Sequence, residues 1–184
     1  MRYNENLKRE LLRLLLRKSV ITGNITLSSG KKSSYYIDVK MTSLDRDGVV
    51  LCARLFASQL KGISGIGGPT LGADPFLGAI LYECRQRKKN IYGFMVRKKS
   101  KTHGTTKLIE GPIREKTKVA LIEDVITTGH SVYEAVKTVE KAGVQVVKIL
   151  SVVDREEGGS RLLKKKGYPV CPIFTKSDLG LGTC

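Results

Sequence analysis

Two strongly apolar runs, "KVALIEDV" (118–125) and "VQVVKILSVVD" (144–154), flank "HSVYEAVKTVEKAG" (130–143), which has helical spacing and ends at Gly143. Strands that alternate with helices in this way close as right-handed crossovers, so the chain is constrained to a mostly parallel sheet covered by helices. The alternation continues upstream. "GISGIGG" (62–68) reads as a strand running into a glycine turn, "GADPFLGAILYEC" (72–84) as a helix that tolerates Pro75 in its first turn, and "IYGFMV" (91–96) as a further strand. Asp45 or Asp47 starts another helix carrying Val49, Val50, Cys52, Ala53, Leu55 and Phe56. The N-terminal part differs. Asn4 or Asn6 is positioned to cap a helix with Leu7, Leu11, Leu14 and Leu15 on one face, ended by Gly23, and "ITLSSGKKSSYYIDV" (25–39) reads as a hairpin with a polar, basic tip.

With 184 residues, 41% of them hydrophobic and 27% charged, the chain suits one domain with a proper core. Its 33 Lys and Arg against 17 Asp and Glu give a net charge of +16, which favours phosphorylated or otherwise polyanionic partners. Lysines spread along the chain, such as Lys61, Lys88 and Lys164 to Lys166, read as solubilising charge. Cys52, Cys84, Cys171 and Cys184 are far apart, with no C-x-x-C pair, so no zinc or redox motif is indicated. The N-terminal "LKRELLRLLLRKS" is too charged for a signal peptide and no run reaches the length of a membrane span, so a soluble, cytoplasmic protein is expected.

Ligands of open α/β sheets collect beyond the carboxyl ends of the strands. There, Val119 to Ile122 reads as a buried strand delivering Glu123 and Asp124 to an exposed end. Val125 and Ile126 follow, and then Thr127, Thr128, Gly129, His130 and Ser131 lead into a helix. Hydroxyls, a flexible glycine and free amides at a helix start make an anion cradle suited to a phosphate monoester. Two carboxylates beside a phosphate would repel it unless they bind sugar hydroxyls or a bridging Mg²⁺, so the set points to a phosphorylated sugar. The run "RKKSKTHGTTK" (97–107) has five cations, one histidine and no apolar residue, and cannot form a core of its own.

"VALIEDVITTGHS" (119–131) resembles the phosphoribosyl pyrophosphate (PRPP) signature of type I phosphoribosyltransferases. "RKKSKTHG" (97–104) resembles the R-K-x-x-K-x-H-G catalytic loop of the orotate phosphoribosyltransferases among them, and "SSGKKSSYYID" (28–38) and "DREEGG" (154–159) match that family in position and order. The resemblance spans nearly the whole chain. It implies a single domain over 1–184, in which residues 1–45 form a small hairpin-containing hood over the base and 46–184 an α/β core. It also implies transfer of phosphoribosyl from PRPP to orotate, giving orotidine 5'-phosphate and pyrophosphate in pyrimidine synthesis. Mg²⁺ is the implied cofactor, held mainly by PRPP and water near Glu123 and Asp124, with no direct protein ligand. The implied assembly is a homodimer with active sites shared across the interface, with no membrane or specific nucleic-acid partner.

By the same resemblance, Arg97, Lys101 and His103 reach across the dimer to the pyrophosphate while Lys98 serves its own site. Lys101, His103 and Asp124 are the expected catalytic residues. Glu123 and Asp124 take the ribose hydroxyls, and residues 125–131 (Val125, Ile126, Thr127, Thr128, Gly129, His130 and Ser131) complete the PRPP site. Thr127 and Arg155 touch orotate, whose carboxylate matches the planar guanidinium fork. An ion pair of Arg155 with Asp154, Glu156 or Glu157 is the alternative. Of Tyr35 and Tyr36 only one is expected to face the base, because neighbours on a strand point to opposite sides. Lys99 and Lys107 match no family position. The "GIGGPTLGADP" turn (65–75) forms the pyrophosphate-side wall. Many family members carry lysine where Ser28 stands and an aromatic-lysine pair where Leu71 and Gly72 stand, and Lys31 and Lys32 are candidates to replace that charge.

Two other readings fit part of the pattern. A phosphoribosyltransferase for another base would share the phosphate loop but not R-K-x-x-K-x-H-G. A PRPP-sensing nucleic-acid-binding regulator would use the positive charge, but about 25 residues before the hairpin are too few for a winged helix, and interleaved aromatics are lacking.

Overall fold

The computed structural model describes residues 2–26, 30, 32–98 and 107–181. The chain begins with helix α1 (Arg2–Lys18), hairpin strands β1 (Val20–Thr26) and β2 (Lys32–Ile37), the one-turn helix α2 (Lys40–Ser43) and α3 (Arg46–Ser58). Then follow β3 (Gly65–Pro69), α4 (Asp74–Gln86), β4 (Tyr92–Val96), β5 (Ile109–Glu110), β6 (Lys118–Ile126), α5 (His130–Lys141), β7 (Gln145–Asp154), α6 (Gly159–Lys165), β8 (Val170–Thr175) and a 3₁₀ turn at Ser177–Leu179. The main sheet has the order β5-β4-β3-β6-β7-β8 and is parallel apart from the edge strand β5, while β1 and β2 form a separate antiparallel pair. This is the expected α/β architecture. The elements α2, β5, α6, β8 and the 3₁₀ turn add to what the sequence pattern indicates.

The sheet is buried on both faces because β6 alternates between two cores. Ala120 and Ile122 pack with α1, α3 and α4, through residues such as Leu11, Leu15, Phe56 and Phe76. Val119 and Leu121 pack with Val132, Ala135, Val136 and Val139 of α5 and with Leu163 of α6. Inserting either face into water would expose several fully buried side chains, each contributing about 1.5–3 kcal/mol by burial.

Two boundaries differ from expectation. Helix α1 starts at Arg2, so Asn4 and Asn6 lie within it and do not cap it. It stops at Lys18, well before Gly23. There Ser19 Oγ is held 2.6 Å from Thr42 Oγ1 in a buried contact, and the chain turns at once into β1. Gly23 instead sits inside β1 with φ 141°, where the hairpin register slips between Thr22 and Ile25. At the next helix, Asp45 is the cap: its Oδ1 accepts from the amides of Asp47 and Gly48, both at 3.1 Å, while its other oxygen pairs with Lys18.

Candidate functional site

The strand carrying the two acids does not end at Ile122. β6 runs on to Ile126, so Glu123 and Asp124 lie within it, and Glu123 faces Ser151 of β7 in the ladder. Glu123 is buried, not displayed at an open end. A Cβ on Gly72, in the turn between β3 and α4, would stand 1.7 Å from Glu123 Oε1 and 3.1 Å from Asp124 Oδ1. The glycine therefore makes room for both carboxyl groups. Burial pushes the Glu123 carboxyl up to about 8, the neighbouring Asp124 adds to the rise, and the Asp124 amide and the charge of Lys98 offset part of it. Asp124 is only partly buried; its Oδ1 accepts from the Val125 amide at 2.7 Å, and its Oδ2 lies 3.8 Å from Lys40 Nζ.

Beyond β6 the chain turns through Thr127, Thr128 and Gly129 into α5. Gly129 adopts φ 77° and opens α5 without a side-chain cap, so the first-turn amides keep their hydrogens for a ligand. Thr128, His130 and Ser131 are exposed, Thr127 is half-buried, and the side chains of Val125 and Ile126 turn towards the cores. The turn is braced from the next loop. Gly159 N donates to Thr127 O at 2.9 Å, and a Cβ on Gly159 would come 2.4 Å from that same oxygen. Sequence reasoning assigned no role to Gly158 and Gly159; their doubled glycine after Arg155 was the available signal.

Because Ile126 pairs with Asp154, Arg155 emerges beside Thr127, and its amide donates to Ile126 O at 2.9 Å. Its guanidinium carbon lies 5.5 Å from the centre of the Tyr35 ring, and Nη2 is 2.6 Å from Glu157 Oε1. The ion pair weighed against an orotate contact is thus formed, with Glu157. Asp154 instead accepts from the Glu156 amide, and Glu156 is tied to Ser177. Arg155 Nε is buried and has no hydrogen-bond partner among the described residues. Tyr35 packs partly on the core and over Arg155, whereas Tyr36 is exposed.

Arg97 and Lys98 follow β4. The Arg97 amide donates to Leu108 O at 2.8 Å, and its Nη1 lies 3.5 Å from Glu110 Oε1. Both residues line a groove of about 450 Å³ with Pro69, His130, Ser131 and Glu134, bringing the basic strand end and the start of α5 to one opening. Lys101 and His103 lie outside the described residues, as do Lys99, Ser28 and Lys31. Lys32 and Lys107 are exposed. Lys40, which no sequence motif singled out, is the cation that the fold brings to Asp124.

A family profile described as "Phosphoribosyl transferase domain" matches residues 66–173. An orotate phosphoribosyltransferase of Thermosynechococcus vestitus is 41% identical over 176 residues, covering 95% of this chain and 93% of the relative. Among solved structures, Mycobacterium tuberculosis H37Rv orotate phosphoribosyltransferase in complex with Fe(III) dicitrate aligns with a TM-score of 0.83 at 36% identity, over 95% of this chain and 99% of the other. The same enzyme in complex with PRPP aligns with a TM-score of 0.80 at 34% identity, again over 95% and 99%.

Proposed function

The chain belongs to the orotate phosphoribosyltransferase family, and on that footing we propose that it transfers the phosphoribosyl group of PRPP to a ring nitrogen of orotate, releasing pyrophosphate and forming orotidine 5'-phosphate for pyrimidine synthesis. The observation that carries the reading is the juxtaposition of an acid pair, an uncapped helix start and an arginine under an aromatic ring at the ends of the adjacent strands β6 and β7.

The ring nitrogen, its proton released to solvent, attacks the anomeric carbon as the bond to pyrophosphate breaks, the electron pair leaving with the pyrophosphate. The transition state has oxocarbenium character, so negative charge grows on the leaving group. Arg97, Lys98, Lys101 and His103 provide positive charge there. The amides and hydroxyls from Thr127 to Ser131 hold the 5-phosphate. Glu123 and Asp124 take the ribose hydroxyls, and burial of the Glu123 carboxyl strengthens its hold on a proton. This also eases the repulsion expected of two carboxylates beside a polyphosphate. Arg155 exchanges Glu157 for the orotate carboxylate, under Tyr35.

Mg²⁺ fits as a companion of the substrate. A hard cation favours oxygen donors, and the partly exposed Asp124 carboxylate of the acid pair would stand near an ion held mainly by PRPP oxygens and water. When bound it neutralises phosphate charge. The rest of the proposal is a single domain with a hood at 1–45 and a core at 46–184, a homodimer in which Arg97, Lys101 and His103 enter the partner's site, and operation in the cytoplasm. Cys52, Cys84 and Cys171 are free, and no helix among the described residues is long and apolar enough to cross a membrane.

The test is loss of orotate absorbance in the presence of PRPP and Mg²⁺, run beside hypoxanthine, adenine and uracil. Turnover of orotate alone among these bases, dependent on both PRPP and Mg²⁺, is expected. Turnover of a purine without orotate would overturn the assignment.

A further inference from the structure

Lys40 stands outside every motif that names the family, yet it is placed at the acid pair. It opens α2, three residues after β2, and its backbone is fixed from both sides. The Lys40 amide donates to Asp38 Oδ1 at 3.1 Å, and Thr42, two residues on, is fully buried against Ser19 and the backbone of Gly48. A long side chain on so rigid a base loses less freedom on meeting a ligand than one on a loose loop.

The ammonium group hydrogen-bonds Asp38 at 3.2 Å and stands 3.8 Å from Asp124 Oδ2, too far for a hydrogen bond but close enough for charge attraction. Among the described residues only one of its three hydrogens is committed to a hydrogen bond, and the side chain remains about half exposed. Burial works against its charge, but Asp38 and Asp124 together more than compensate and keep it protonated. The neighbouring wall offers no substitute. Gly72 has no side chain, and a Cβ there would meet Glu123.

We propose that Lys40 is a PRPP-positioning residue: it offsets the charge of Asp124 and presents its free hydrogens to the oxygens of PRPP beside the acid pair. This rests on the proposed reaction. Lys40 takes the compensating role that the sequence offered to Lys31 and Lys32. Tyr35, whose ring lies over Arg155, is on β2 five residues before Lys40, so one segment lines both halves of the site.

Calorimetric titration of PRPP with Mg²⁺ in the absence of orotate, combined with steady-state kinetics, tests the assignment. Lys40→Ala is expected to weaken PRPP binding roughly five- to tenfold and to raise the KM for PRPP to match, with kcat within about twofold and the KM for orotate much less affected. Lys40→Arg is expected to restore most of the loss, which a purely structural defect would not allow. Unchanged PRPP affinity in Lys40→Ala, equal increases in both KM values, or failure of Lys40→Arg to recover affinity would each overturn the role of Lys40. A wild-type protein that bound no PRPP would overturn the underlying reaction and this proposal with it.

Discussion

Glu123 and Gly72 occupy one space between them: the carboxyl oxygen of the acid lies 1.7 Å from where the glycine would carry a Cβ. Any side chain at position 72 must move the carboxyl group, and the carboxyl is the end of a flexible chain, so it yields before the backbone does. Gly72→Ala should therefore lower kcat/KM for PRPP by roughly tenfold while reducing Tm by only a few degrees. A large loss of Tm with intact catalysis would show that the glycine serves the fold and not the site.

The buried acid also sets a pH dependence. The folded protein holds the Glu123 proton to about 8, whereas an unfolded glutamate releases it near 4.5. Across that window the unfolded state binds fewer protons, so this residue makes stability fall as pH rises, and the deficit is complete above about 8. Glu123→Gln removes the ionisation. Its Tm should exceed that of the wild type by roughly 5 °C at pH 9 and by much less at pH 5. Equal differences at the two pH values would show that Glu123 does not titrate in this range.

The proposed base site has the Arg155 guanidinium under the Tyr35 ring. Arg155→Ala should raise the KM for orotate at least about tenfold and change that for PRPP little, since a charge-assisted pair is lost. Tyr35→Ala should raise the orotate KM about two- to fivefold, and exposed Tyr36→Ala should stay within about twofold. Steady-state kinetics with each substrate varied in turn provides the check, and a larger effect at Tyr36 than at Tyr35 would reverse the assignment of the two rings.

Sharing of the loop across a dimer has its own signature. Lys101→Ala and Asp124→Asn should each be nearly inactive as homodimers. Mixed in equal amounts with free subunit exchange, half of the dimers carry one intact site of two, restoring about a quarter of wild-type activity. Mass-tagged chains verify exchange. Exchange without recovery of activity would place Lys101 in its own chain's site.

The local order of this chain was readable from its residues. The run from Val119 to Ser131 joins strand, acids, turn and helix without interruption, so contiguous sequence carries both its shape and its chemistry, and the alternation of apolar runs with helical spacing sufficed for a parallel sheet. Very short or edge elements such as α2 and β5 have too few residues to show a period, and the end of α1 depended on a distant hydroxyl, that of Thr42. What only the tertiary structure decided was which separated groups meet. A strand covered on both faces does not reveal in its own sequence that Glu123 lies buried against Gly72, or that Lys40 reaches Asp124. Nor does sequence spacing show that the spread-out lysines lie at one end of the sheet. Parallel pairing brings the strand entries to one edge, where Tyr92 N bonds Ser64 O, Ser64 N bonds Lys118 O and Lys116 N bonds Gly143 O. Lys61, Lys88 and Lys164 to Lys166 precede strands that start at that edge, opposite the acid pair. Residue type determined the chemistry available to the chain, whereas burial and the electrostatics of convergence arise from long-range packing and came only with the folded sheet.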